Sequence, residues 1–336
     1  MKINNPNQSC NTKKERVLSG MRPTGKLHLG NYIGALQNWV KLQDEYQCFY
    51  MIADWHALTS EYSDTSLILL NINEMLIDWL SCGLNPEKSV LFIQSKVKQH
   101  AELHLLLSMI TPLGWLERCP TYKEQLQEIK DKDLKTYGFL GYPVLQAADI
   151  LIYKANKVPV GEDQLPHIEF TRELTRRFNN FYGKIFPEPQ ALLTNIPKLP
   201  GIDNRKMSKS YNNCIYLSDS SEIIEEKINC MFTDPLKIRK NDPGHPEGCV
   251  VFAFHKIYSE NIDEINSDCK KGNIGCVDCK KKLSQKINVS LENYRIKREK
   301  FIKNKDLIQD IISEGIKKAS EIAEKTLQEV RNSIKI

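Results

Sequence analysis

The chain has 336 residues, of which 41% are hydrophobic and 26% charged, with a formal net charge of +5. These values are ordinary for a globular protein with room for a large core in two lobes, and no uninterrupted apolar run reaches bilayer length, which excludes a membrane-spanning helix. The charge is modest on average but concentrated in Lys270 to Lys305, where it suits a polyanionic partner or a solvated helix face.

Residues 1–15 read as a polar tail without the apolar segment of a signal peptide, so a cytoplasmic protein is expected. Arg16 to Gly20 is a short candidate strand. It feeds the stretch Ser19-Gly20-Met21-Arg22-Pro23-Thr24-Gly25-Lys26-Leu27-His28-Leu29-Gly30-Asn31, which runs into the periodic segment Tyr32 to Leu42. Glycines at 20, 25 and 30 let backbone approach a ligand closely, and a helix starting near His28 to Asn31 offers free N–H groups to an anion. His28 and Asn31 add side-chain donors, so the stretch reads as a nucleotide-phosphate cradle.

Cys48 to Asp54 and Ser89 to Gln94 are nearly continuous apolar runs, the pattern of strands covered on both faces. Between them, Ser66 to Leu80 has helical spacing and is closed by Gly83 and Pro86. Strand, helix, strand in this rhythm predicts an α/β fold, a Rossmann-like doubly wound parallel sheet. From about 100 to 137 the rhythm gives way to helical patterns, an insertion suited to a dimer contact or a substrate wall.

Gly138 to Pro143 turns the chain into Val144 to Tyr153, where Asp149 sits inside an otherwise apolar helix. A carboxylate there is costly unless partnered, so it is either a satisfied structural group or a specificity acceptor. Val158 to Gln164 reads as a further strand ending in Gly161, Glu162, Asp163 and Gln164, where open α/β sheets place ligand contacts. His167 to Phe178 reads as an amphipathic helix with a solvated charged face. Past Pro197, Pro200 and Gly201, the loop at 203–211 carries Lys206-Met207-Ser208-Lys209-Ser210, a donor cluster able to close over the same phosphates. The remainder, 212–336, is helical.

Six of the ten cysteines (Cys10, Cys48, Cys82, Cys119, Cys214 and Cys230) are scattered and read as reduced thiols. The other four, Cys249, Cys269, Cys276 and Cys279, fall in one segment whose last three are spaced C-x6-C-x2-C. Four thiolates so placed suggest a [4Fe–4S] cluster or a structural Zn²⁺; free thiols are the remaining reading.

Taken together, the Ser19 to Asn31 stretch and the Lys206 to Ser210 loop resemble the paired signatures of class I aminoacyl-tRNA synthetases. With Tyr142 to Leu151, Val158 to Arg172 and the cysteine segment, the chain resembles the bacterial tryptophanyl-tRNA synthetase family. The cysteines resemble those of a subset that binds a [4Fe–4S] cluster. The resemblance implies a Rossmann catalytic domain over 16–211, with its helical insertion, and a helical anticodon-recognition domain over 212–336.

It also implies activation of L-tryptophan by ATP with Mg²⁺, transfer to tRNA(Trp), and a homodimer. His28, Lys206 and Lys209 would serve catalysis. Arg22, Pro23, Thr24, His28, Gly30, Asn31, Gly161, Glu162, Asp163, Lys206, Met207, Ser208, Lys209 and Ser210 would hold ATP. Asp149 would accept the indole N–H, with Tyr142, Gln146 and Gln164 at the amino end of tryptophan, and the four cysteines would ligate the metal. Gln146 stands where many relatives have methionine and Arg22 where many have glutamine. The tyrosyl-tRNA synthetases are the nearest rival reading, separated by the context of Asp149; a non-catalytic synthetase-like tRNA-binding protein is another.

Overall fold

In a computed structural model, residues 14–128, 133–193 and 199–336 are described, so most of the polar tail lies outside the description. Five parallel strands make the sheet: β1 (Arg16–Met21), β2 (Gln47–Ile52), β3 (Ser89–Ile93), β4 (Lys157–Val160) and β5 (Gln190–Leu193). Their order is β3-β2-β1-β4-β5, so the chain winds outward from β1 to one edge and then returns to build the other side from β4. The reversal falls between β1 and β4, and only one register pair, Val17↔Lys157, is recorded between them. A doubly wound sheet opens its ligand crevice at such a reversal.

The four strands expected from apolar runs are present, but β2 and β4 end earlier than the runs do. Asp54 opens a helix and Glu162–Gln164 forms a single 3₁₀ turn, because the polar residues ending each run leave the ladder. β5 was not legible: four residues at the sheet edge, none of them buried, leave no continuous apolar signal.

Along the chain the helices are α1 (Leu29–Asn31), joined by a π-helical turn to α2 (Gln37–Glu45), then α3 (Asp54–Glu61), α4 (Ile68–Cys82), α5 (Gln99–Ser108), α6 (Leu113–Glu117) and α7 (Pro120–Glu128). They continue as α8 (Tyr137–Leu140), α9 (Tyr142–Ile152), α10 (Leu165–Tyr182), α11 (Ser221–Asn229), α12 (Val250–Tyr258), α13 (Ile262–Lys270), α14 (Cys276–Lys303) and α15 (Lys305–Ile334). Gly83 ends α4 in a left-handed conformation, φ 110°, the reason a glycine is needed there.

Alternate strand residues feed two apolar clusters. Val17, Cys48 and Tyr50 join Trp39 and Trp79 in one, and Leu18, Phe49 and Met51 join Ala148 and Leu151 in the other. The C-terminal helices share both: Ile287, Leu291, Ile308 and Ile312 pack in the first, and Ala319, Ala323, Leu327 and Val330 in the second. Helix α15 therefore passes from one cluster to the other beside β3, at Gly315, whose missing Cβ would stand 1.8 Å from the Leu91 carbonyl oxygen. Arg331 pins its far end to Glu102 of α5 through two hydrogen bonds of 2.7 Å. Among the described residues, no helix is long and apolar enough to cross a membrane.

Candidate active site

A cleft of about 390 Å³ opens at the C-terminal ends of β1 and β4, and Arg22, Tyr142, Gln146, Asp149, Gly161 and Gln164 line it. These residues come from the β1 loop, α9, the β4 loop and the start of α10, brought together by the reversal in strand order. On the other side of β1, Gly34 and Asn38 also line the cleft. The space therefore reaches both faces of the sheet, with Asp149 at one end and the first helical turns at the other.

Asp149 is 1% exposed and is held by three neighbouring side chains. His100 Nδ1 lies 2.6 Å from Oδ1 and His56 Nε2 2.7 Å from Oδ2. Gln94 Nε2 donates to both oxygens, at 2.8 and 2.9 Å. Burial alone would push this carboxyl up, but the hydrogen bonds from His100 and His56 win and hold it down at about 2. His56, Gln94 and His100 were not among the residues expected from sequence. The first two follow the C-terminal ends of β2 and β3, a position that could have flagged them; nothing local marks His100.

Tyr142 and Gln164 meet through His167, a buried residue of α10 that the sequence assigned to a helix with a solvated face. The His167 Nδ1–H donates to Gln164 Oε1 at 2.9 Å, and the Tyr142 hydroxyl donates to Nε2 at 2.8 Å. Burial, aided by the nearby His56, lowers His167 to about 4, which keeps the ring neutral, and the Gln164 oxygen then places its single N–H on Nδ1. Gln164 in turn donates to Asp163 at 2.9 Å. Glu162 and Asp163 are exposed at the rim.

The two signature stretches meet beside this cleft. Lys209 Nζ donates to the Gly25 carbonyl at 2.8 Å, across 184 positions of sequence. The chain after the lysine loop is stitched to the first stretch by Leu29 N–H to Ile215 O and Leu217 N–H to Leu27 O, each 2.9 Å. His28 and Asn31 cap α1 reciprocally, at 3.1 and 3.2 Å. A side chain at position 30 would press on the His28 ring at 3.0 Å and on Met207 Sδ at 3.4 Å. Burial, with the Lys209 charge adding to it, lowers His28 to about 4. The neutral ring accepts at Nδ1 and keeps its Nε2–H for another acceptor.

Pro23 is buried and Thr24 caps the turn through its N–H to the Arg22 carbonyl, 2.9 Å. Lys206 is exposed and Ser208 donates its N–H to Asn213 Oδ1 at 2.8 Å; neither lines the cleft. The side chain of Ser210 lies outside the described residues. Asn213, buried and unforeseen, also donates to Asp203 at 2.8 Å and to the Lys206 carbonyl at 3.0 Å, so it sets the shape of the loop.

Cys249, Cys269, Cys276 and Cys279 all line one separate small pocket. Backbone crowds it: a Cβ at Gly244 would lie 2.6 Å from Cys269 Sγ. Burial, reinforced by the neighbouring thiols, raises Cys279 to about 12, so without a metal its sulfur stays protonated. The donor chemistry and the convergence on one pocket fit a thiolate-ligated group. Among the described residues, however, no set of three or more is gathered tightly enough to hold a single metal ion.

Comparison with known proteins agrees over nearly the whole chain. The family described as "tRNA synthetases class I (W and Y)" matches residues 10–292. A tryptophan–tRNA ligase of Thermotoga maritima is 53% identical, covering 96% of this chain and 99% of the relative. One from Aquifex aeolicus is 48% identical, covering 96% and 100%. Among solved structures, a tryptophanyl-tRNA synthetase of Campylobacter jejuni, complexed with ADP and tryptophan, aligns with TM-score 0.87 and 34% identity over 96% of this chain and 100% of its own.

Proposed function

The chain belongs to the class I tRNA synthetases of the tryptophan and tyrosine kind, and we propose that it is an ATP-dependent tryptophan–tRNA ligase. The observation that carries the choice of amino acid is the buried, ionised Asp149 lining the cleft, a fixed acceptor suited to an indole N–H.

In this reading tryptophan lies on the Asp149 side, with its amino end toward Tyr142, Gln146 and Gln164. ATP lies along Arg22 to Asn31, its ribose at Gly161 to Asp163. A tryptophan carboxylate oxygen attacks the α-phosphorus as the bond to the β-phosphate oxygen breaks, giving tryptophanyl-adenylate and pyrophosphate. The neutral His28 Nε2–H and the lysines at 206 and 209 stabilise charge on the departing pyrophosphate, whose Mg²⁺ arrives with ATP. The terminal ribose hydroxyl of tRNA(Trp) then attacks the acyl carbon, AMP leaves, and the hydroxyl proton is lost.

The same reading gives a cytoplasmic homodimer, and the exposed apolar side chains Leu105 on α5, Met109 just after it and Leu113 on α6 support the dimer. For the cysteine pocket it gives a [4Fe–4S] cluster, with a structural Zn²⁺ as the alternative. All four cysteines line that pocket, which suits a thiolate-ligated group. Bound there, a cluster would tie the turn at Cys249 to α13 and the start of α14.

The test is ATP–pyrophosphate exchange by an anaerobic preparation analysed in parallel for iron, sulfide and zinc. We expect exchange with tryptophan and not with tyrosine or phenylalanine, and iron with sulfide in the protein. Exchange with tyrosine would overturn the amino acid, no exchange the enzyme, and zinc or no metal the cluster.

A further inference from the structure

We infer that Tyr153 and His100 are positioning residues for tryptophan selection: a buried relay that fixes which way Asp149 points its one remaining acceptor. This rests on the tryptophan-ligase reading above. Tyr153 lies four residues after Asp149, just past the end of α9, and His100 reaches in from α5 between them. His100 Nε2 is 2.8 Å from the Tyr153 hydroxyl, and His100 Nδ1 is 2.6 Å from Asp149 Oδ1. Both rings are 0% exposed. Tyr153 is held by Phe49, stacked at 4.7 Å, and Phe92, edge-on at 5.3 Å, so its hydroxyl has a fixed place.

The direction of the relay follows from donor and acceptor chemistry. Burial pushes the Tyr153 hydroxyl far above its usual range, so it keeps its proton. Among the described residues His100 Nε2 is the acceptor in reach of that proton, at 2.8 Å. With Nε2 accepting from Tyr153, the ring's N–H must sit on Nδ1 and point at Asp149 Oδ1. The opposite tautomer would set a ring lone pair against the carboxylate.

The rest of the cluster shows what the relay leaves open. Gln94 bridges both oxygens, and its own Oε1 is 3.4 Å from the His56 N–H. Of the three side chains on Asp149, only His56, on Oδ2, also lines the cleft. The Gln94 nitrogen, 2.8 and 2.9 Å from the two oxygens, shares one N–H between them, so three N–H groups against about four lone-pair positions leave one acceptor position, on the oxygen that His56 also touches. A substrate without an N–H therefore does not strand a bare carboxylate, since three donors stay in place. Selection depends on how well that last position is aimed, and the aim is set from behind by His100 and Tyr153.

The probe is the sulfur isostere of tryptophan, 3-(1-benzothiophen-3-yl)alanine, which keeps the ring shape and lacks the N–H. Pyrophosphate exchange with the full-length enzyme compares kcat/KM for tryptophan and isostere. In Tyr153→Phe, which keeps the ring packing, we expect the isostere's disadvantage to shrink about tenfold. The change should fall on KM for tryptophan, with kcat within about twofold. His100→Asn, which keeps an amide N–H near the Nδ1 position, should retain most of the discrimination, and His100→Leu should lose it. A folded Tyr153→Phe enzyme with unchanged discrimination overturns the relay, as does an equal loss for both substrates, the mark of simple loosening. If Tyr153→Phe does not fold, equal discrimination in His100→Asn and His100→Leu overturns the relay, and the expected difference supports it. Parent enzyme inactive with tryptophan would instead overturn the proposed function.

Discussion

Lys209 sits where its surroundings work against its own charge. Burial lowers its pKa to about 8, and the nearby Arg22 pushes the same way. Between about pH 8 and 10.5 the unfolded chain binds the extra proton, so the charged ammonium makes folding less favourable below pH 8, and that cost fades as pH rises. A side chain kept under this penalty is suited to a ligand that supplies negative charge. Because kcat/KM for ATP reports the free enzyme, it should fall as pH rises through about 8. In Lys209→Arg that fall should vanish, since guanidinium stays charged. Lys209→Ala should lower adenylation by roughly 10²–10³ with thermal stability unchanged or slightly raised. An alanine variant of normal rate would remove the role given to the loop.

Helix α15 shows where local pattern ends and tertiary packing begins. Its 3/4 apolar spacing reads as a helix, but the spacing does not say that Ile308 and Ile312 serve one cluster while Ala319 to Val330 serve the other. Gly315 makes that passage feasible. In an exposed helix Gly→Ala gains about 1 kcal/mol. Here the new methyl meets the Leu91 backbone, so Gly315→Ala should destabilise by about 1–3 kcal/mol, read as a lower urea midpoint at unchanged slope. A more stable variant would mean that the close approach is not kept in solution.

The same limit divides the site. The glycines, His28, Lys209 and Asp149 are legible because residue type and local setting already name their chemistry: a carboxylate in an apolar helix needs a partner. Its partners are not legible in that way. His100 lies 49 positions from Asp149 and Gln94 55, and each resembles an ordinary residue until the sheet and α5 bring it to the cleft. His167 was hidden for a related reason: it opens the buried face of a helix whose charged face dominates its composition.

Across the whole molecule, the histidines make the cleft's acid sensitivity a property of the fold. His28 and His167 are each lowered to about 4, chiefly by burial, and His104 and His255 are lowered by the same cause. As pH falls from about 6.5 toward 4 the unfolded chain takes up protons that the folded chain refuses, so stability drops. Each such histidine contributes at most about 1.4 kcal/mol per pH unit, less for His28, which retains some contact with solvent. Asp149 extends the loss below its ordinary range, because its carboxylate stays charged down to about 2 in the fold alone. Asp78, raised by burial despite Tyr294 and Arg298, acts in the opposite sense above its ordinary range, where the folded chain binds its proton first. From pH 6.5 downward the lowered histidines act first in the destabilising sense. Urea unfolding from pH 6.5 to 5 should show stability declining with acid, and His28→Asn with His167→Gln, which keep a cap and a hydrogen-bonding amide, should make that slope shallower. An unchanged slope in that double variant would show that the two rings are not held neutral. Since both are neutral from pH 6 to 8, the parent's pyrophosphate exchange should show no titration near 6.5 from either.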